Sequence, residues 1–227
     1  MFLRVLPLVL LSFLAVFLMA AEDSCNSTKD GDTPAAGDTS GPGDTPPAEE
    51  PGETLVPPEP VTLQGSGQTA TEAVTPPSAI SVVALTHDGS SNFIVKAFQG
   101  GQETLLVNEI GPYQGTRPLV GDGDVTFDLD ADGAWTIVLS PLGAADGAAF
   151  SGTGAAVSGL FDPPNAGAWE FTHDGQANFV VWAHCTGGDN LVQNEIGAVS
   201  GSGVVDFDDG PCFWEVDADG SWTLAPR

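Results

Sequence analysis

The chain has 227 residues, with 31 Asp plus Glu against 5 Lys plus Arg and a formal net charge of −26. Such a surface repels nucleic acid and anionic membranes, which argues against any function that rests on phosphate contacts. It suits solubility in salty water, and the self-repulsion it carries is screened by added salt.

In chain order, residues 1–21 read as a signal peptide. Arg4 supplies the positive start, Val5 to Met19 is almost wholly apolar, and Ala20-Ala21 offers small residues for cleavage. The run is shorter than the roughly 20 residues of a membrane span, so cleavage and release are expected. Lipid attachment at Cys25 is the rival, although Glu22-Asp23-Ser24 stands where a lipobox wants small apolar residues. Residues 22–60 are rich in Pro, Gly, Asp, Glu and Thr, and repeat Gly31-Asp32-Thr33 as Gly37-Asp38-Thr39 and Gly43-Asp44-Thr45. Nothing there can bury a core, so a disordered linker is expected, either a stalk reaching on the order of 100 Å or a passive tail. Asn26-Ser27-Thr28 is a glycosylation sequon in a eukaryotic source only.

After Thr62 the chain repeats itself. His87 returns as His173 and Asn92 as Asn178, 86 residues on. Asn108-Glu109-Ile110-Gly111 returns as Asn194-Glu195-Ile196-Gly197 at the same offset. Further on, Asp130-Ala131-Asp132-Gly133 and Trp135 return as Asp217-Ala218-Asp219-Gly220 and Trp222, 87 residues on. Two tandem units follow, 61–142 and 147–227, joined near residues 143–147.

Each unit reads as β. Phe93, Val95 and Ala97 alternate with Ile94, Lys96 and Phe98. The second unit keeps the first set as Phe179, Val181 and Ala183 and changes the other to Val180, Trp182 and His184. The retained face is the expected core; the divergent face is solvent or a binding surface. Short strands broken by Gly and Asn, with no helical period, predict an all-β chain of two small β-sandwiches, jelly-roll-like in type.

The retained polar residues admit two readings. In "THDG", Asp-Gly marks a turn that Asn92 and Asn178 can brace, and "NEIG" ends a strand at a glycine free to take positive φ. Alternatively His87, His173, Asn108 and Asn194, with the adjoining glutamates Glu109 and Glu195, form a duplicated polar site. "DLDADGAW" poses the same choice. Asp128, Asp130, Asp132 and Gly133 fit the start of an EF-hand loop, but Leu139 stands where a bidentate Glu is needed. A hairpin turning at Ala131-Asp132-Gly133 explains more of the stretch. A looser calcium site at Asp128, Asp130, Asp132, Asp217 and Asp219 stays open, and calcium is the one cofactor the sequence suggests.

Cys185 and Cys212 occur only in the second unit and both fall on inward positions. In an exported chain that pattern predicts a disulfide. Cys25 is then the odd one.

The residues "GSG…THDGSSNFIV…LLVNEIGPYQG…ADGAWTI" resemble an uncharacterised domain of exported and membrane-attached proteins common in actinobacteria, present here as two copies. The second copy departs from the pattern, with Gln193 for Val107 and Val199 for Tyr113. The resemblance implies an extracytoplasmic β domain, secreted or attached to the cell surface, and brings no catalytic residues.

Three functions are compatible with these residues. The first is a non-catalytic binding or display module whose partner is a protein or carbohydrate at the cell exterior, with Trp182 and His184 as contacts and membrane association only through an N-terminal lipid. The second is a calcium-stabilised structural domain. The third is a secreted hydrolase using Glu109 and Glu195 with His87 and His173. It is the weakest, because no nucleophile and base stand at a recognisable spacing.

Overall fold

Alternation of buried and exposed side chains is the organising pattern of the computed structural model, which describes residues 58–164, 166–207 and 210–227. The expected signal peptide, Cys25, the sequon and the linker up to residue 57 lie outside the described residues. Sixteen strands are present among the described residues. The first eight are β1 (Val61–Ser66), β2 (Thr69–Ala70), β3 (Ile80–His87), β4 (Asn92–Gln99), β5 (Gln102–Ile110), β6 (Tyr113–Val120), β7 (Val125–Ala131) and β8 (Ala134–Pro141). The second eight are β9 (Phe150–Thr153), β10 (Ala156–Val157), β11 (Gly167–His173), β12 (Asn178–Cys185), β13 (Gly188–Ile196), β14 (Val199–Val205), β15 (Cys212–Ala218) and β16 (Ser221–Pro226).

The strands form two sandwiches of two four-stranded sheets each. In sandwich 1 the sheet orders are β1-β8-β3-β6 and β2-β7-β4-β5; sandwich 2 repeats them as β9-β16-β11-β14 and β10-β15-β12-β13. Every named pairing is antiparallel, and the chain crosses between facing sheets at most connections. This is jelly-roll topology, the architecture the short two-sided strands predict. The segment before β9 packs with sandwich 2: Ala145 N–H donates to Leu160 O and Leu160 N–H to Gly143 O, both at 2.7 Å.

Two facing sheets bury the inward residues of every long strand. Phe93, Val95, Val125, Phe127, Leu129, Ile137 and Leu139 are wholly enclosed in sandwich 1. Phe179, Val181, Cys212, Trp214 and Val216 are enclosed in sandwich 2. A β-bulge interrupts the β4–β5 pairing at Val95/Lys96 and recurs in β12–β13 at Val181/Trp182. It explains why "LLVN" does not alternate: the extra residue lets consecutive Leu106 and Val107 both turn inward.

One expectation needs correction. The stretch from Val125 to Leu139 is not a hairpin. β7 pairs with β2 and β4, whereas β8 pairs with β1 and β3. Asp132-Gly133 therefore carries the chain from one sheet to the other. Both flanking strands point their alternate residues inward in either arrangement, so the sequence pattern did not distinguish them.

Candidate functional site

The duplicated polar residues form an interlocked brace in each sandwich. Asp88 Oδ1 accepts the Ala134 N–H at 2.7 Å, and Asp174 Oδ1 accepts the Ser221 N–H at 2.7 Å. In return, the Asp132 carboxylate accepts the N–H groups of Ser90 and Ser91, and Asp219 those of Gln176 and Ala177. These backbone hydrogen bonds, first from Ser91 and from Gln176, hold both carboxyls below their ordinary pKa. The two sheet-crossing turns are thus tied to each other, with the aspartates rather than Asn92 and Asn178 as the ties.

His87 and His173 belong to the same brace. Both are buried, and Nδ1–H donates to Gly111 O at 2.9 Å in one and to Gly197 O at 2.8 Å in the other. A carbonyl only accepts, so Nδ1 carries the proton. His87 Nε2 accepts the Gly133 N–H at 3.3 Å; its counterpart on His173 makes no such bond and lies 3.2 Å from Asp219 Oδ1. Each ring stacks on the next strand's phenylalanine, His87 on Phe93 at 4.5 Å and His173 on Phe179 at 4.8 Å. Gly111 and Gly197, at φ of 94° and 86°, let the chain turn so that their carbonyls meet these histidines. The motif glycines near Trp have a steric role as well. Trp135 Nε1–H donates to Gly67 O and Trp222 Nε1–H to Gly154 O, while a Cβ at Gly65 or Gly152 would run into the indole.

The aspartates expected as calcium ligands are dispersed. Asp128 and Asp130 lie exposed on the outer face of β7, Asp132 and Asp219 serve the turns, and Asp217 binds Arg117. Among the described residues no group of three or more His, Cys, Asp or Glu has the placement to hold a metal.

Cys185 and Cys212 are disulfide-bonded, as the sequence predicts. They face each other across the β12–β15 ladder with Cα atoms 4.1 Å apart. The same ladder position in sandwich 1 holds Gln99 opposite Val125.

Residues of both copies come together in a cleft of about 920 Å³ where the two sandwiches meet; Leu105 and Asn108 recur as Leu191 and Asn194, whereas Val107, Arg117 and His184 have different counterparts. Leu105, Val107, Pro118 and Val120 form its wall on sandwich 1, and Leu160, His184 and Phe213 form it on sandwich 2. Leu105 and Val120 are 55% and 63% exposed; Ile110, Ile196 and Val204 are more exposed still but do not line this cleft. At the floor Arg117, its side chain 11% exposed, reaches from β6 across to Asp217 Oδ1 at 2.7 Å and Glu215 Oε1 at 3.5 Å. Glu215 Oε2 lies 2.9 Å from His184 Nε2, and His184 Nδ1 lies 2.8 Å from Asp189 Oδ1.

One charge chain, Asp217–Arg117–Glu215–His184–Asp189, therefore runs across the junction. Burial alone would lower the His184 pKa, yet the Glu215 and Asp189 hydrogen bonds outweigh it and raise the value. Arg117 follows the same logic: burial opposes its charge, and Asp217 leads the groups that restore and raise its pKa. Beside the cleft, Arg117 Nε and the Tyr113 hydroxyl are buried without a well-aligned hydrogen bond among the described residues, and the tyrosine's polar neighbour is the Arg117 guanidinium itself. Burial raises the Tyr113 pKa.

Of the sequence-predicted contacts, His184 and Asn108 line the cleft. Trp182 is half-buried on the same face of β12, with its ring stacked at 6.2 Å from His184. Asn194 is exposed on β13. Arg117 and Glu215 were missed. Their signal was available: Arg117 is one of only five basic residues in an acidic chain, and its counterpart in the second copy is Gly203. No family model matches the chain, and no curated protein matches it.

Proposed function

We propose that the protein is a non-catalytic extracytoplasmic binding module, secreted or attached to the cell surface, whose ligand site is the cleft between its two jelly rolls. One observation carries this reading. The cleft joins apolar walls to the buried Arg117, whose Nε–H makes no well-aligned hydrogen bond among the described residues. Small-ligand sites are typically concave, mostly apolar, furnished with a few placed polar groups, and often set between domains. The Arg117 Nε–H is a donor for a ligand acceptor, and His184 stacked on Phe213 at 4.8 Å adds flat aromatic surface suited to a sugar ring or a protein side chain, with Trp182 beside His184 at the margin.

Binding rather than hydrolysis is supported by how the ionisable groups are engaged. Glu215 is shared between Arg117 and His184, and Asp217 is held by Arg117. Neither carboxylate is left as a base beside a nucleophile. The disulfide and the resemblance to exported β domains support an oxidising, extracytoplasmic setting. The partner class is a carbohydrate or protein at the cell exterior.

The test is an array of cell-envelope glycans and extracellular proteins, probed with the intact chain, Leu105→Arg and Trp182→Ala. Leu105 is exposed, so filling the cleft there leaves the core intact. Binding that falls at least about tenfold in Leu105→Arg supports the cleft. Unchanged binding in that variant places the ligand elsewhere and overturns the reading.

A further inference from the structure

Tandem repeats let one interface be read twice. Inside this molecule, the β6 edge of sandwich 1 docks on a face of sandwich 2 formed by β10 and β15. Thr116 N–H donates to Ala155 O at 2.9 Å, Val157 N–H donates to Thr116 Oγ1 at 2.8 Å, and Arg117 clamps Glu215 and Asp217. Gly115 leaves room at this edge: a Cβ there would lie 2.6 Å from the Tyr113 hydroxyl and 3.0 Å from the Ala155 Cβ. This is a heterologous contact: two different surfaces meet, and each sandwich has the strands that correspond to both.

The receiving surface exists again on sandwich 1. β2 and β7 stand where β10 and β15 stand, with Ala70 opposite Asp128 as Val157 is opposite Glu215. Asp128 and Asp130 replace Glu215 and Asp217 at the same two ladder positions. All three of Ala70, Asp128 and Asp130 are exposed. The neighbouring cation differs: Lys96, bound to Glu103 at 2.8 Å, stands across the ladder from Asp128, where sandwich 2 has Trp182 opposite Glu215. β2 is an edge strand, so its outer backbone groups are unpaired within the sheet.

The donating surface is not retained. In β14 of sandwich 2, Gly203 stands for Arg117 and Val199 for Tyr113. Among the described residues, then, β14 offers no second Arg117-like edge with which to close on the free face, and the net charge of −26 opposes stacking of copies.

We infer that the β2–β7 face of sandwich 1 is a docking surface for a partner protein that presents an exposed β edge carrying an arginine after a small residue, as Gly115-Thr116-Arg117 does. The arginine would fork onto Asp128 and Asp130, and the strand would meet the open edge of β2. This surface is separate from the cleft and uses none of its residues.

The direct probe is the synthetic octapeptide Tyr113–Val120, which is β6 itself, titrated into the intact isotope-labelled chain and followed by NMR. Expected are shifts at Thr69, Ala70 and residues 126–130. They should weaken at least about tenfold when the peptide carries Arg117→Gln, or when the chain carries Asp128→Asn with Asp130→Asn. A second probe is the intact chain with Gly203→Arg, a site whose added Cβ meets only the Phe171 ring at 3.7 Å. It should self-associate in sedimentation at moderate salt, and the two Asp→Asn changes should abolish that. Peptide shifts confined to residues 155–157 and 215–217, binding indifferent to the arginine, or silence from both probes would each overturn the inference.

Discussion

Sandwich 1 and sandwich 2 share one frame and differ in what they carry on it. The turn brace, the histidine stacked on phenylalanine, the bulge and the indole bonded to a glycine carbonyl recur at matching positions. The disulfide, His184 and the acceptor pair Glu215 and Asp217 mark sandwich 2, while Arg117 and the free Asp128/Asp130 face mark sandwich 1. Duplication held fixed what closes two sheets over a core. It left free the outer faces, which need only be soluble, and the copies differ there.

The largest contrast should come from the disulfide. Its cysteines are 27 residues apart, and closing such a loop stabilises by about 3–4 kcal/mol. Cys185→Ala with Cys212→Ala should destabilise sandwich 2 by roughly that amount and leave sandwich 1 unchanged. Tryptophan fluorescence during urea unfolding reads this, because four of the five tryptophans, Trp169, Trp182, Trp214 and Trp222, lie in sandwich 2. The braces should erase the contrast: His87→Ala and His173→Ala should each cost their own sandwich about 2–3 kcal/mol, through a lost hydrogen bond and a cavity under the phenylalanine. A large inequality between the two would contradict equivalent roles.

Arg117→Ala tests what couples the sandwiches. Breaking a buried pair costs about 3–5 kcal/mol, and the partly exposed Asp217 reduces this to about 2. The expected sign is that the two unfolding transitions move apart in calorimetry.

The smallest effects are those of pH. Asp132 and Asp219 have folded pKa values below the ordinary 3.8, so their stabilisation is present above that value and is lost as pH falls below it. Both sandwiches should weaken together on acidification, and Asp132→Asn with Asp219→Asn should flatten the curve. His184 has a folded pKa above the ordinary 6.5. Its contribution is complete below that pH and is lost as pH rises through the folded value. Only sandwich 2 should weaken on the alkaline side, and His184→Gln should remove the slope in a melt series from pH 5 to 9.

The sequence exposed the inward faces well, because alternation directly encodes which side chains a sheet buries. Phe93, Val95 and Ala97 were legible for that reason, and the Cys185–Cys212 pair followed from the same parity. Alternation does not encode which sheet a strand joins, so β7 and β8 read as a hairpin although they face each other across the core. It also does not encode how two sandwiches meet. The cleft depends on Arg117 reaching residues about 100 positions away, and no local period reports a contact of that range. The motif residues His87 and Asp132 looked equally like a site or a brace, and the hydrogen bonds to backbone groups are what identify the brace.

The central claim, that the inter-sandwich cleft is the ligand site, is tested most directly by methyl NMR of the intact chain against a library of monosaccharides, disaccharides and short peptides. The account predicts that hits converge on the methyl groups of Leu105, Val107, Val120 and Leu160. It also predicts that Leu105→Arg abolishes them. Hits scattered over the surface, or gathered at a site that Leu105→Arg leaves untouched, would contradict it.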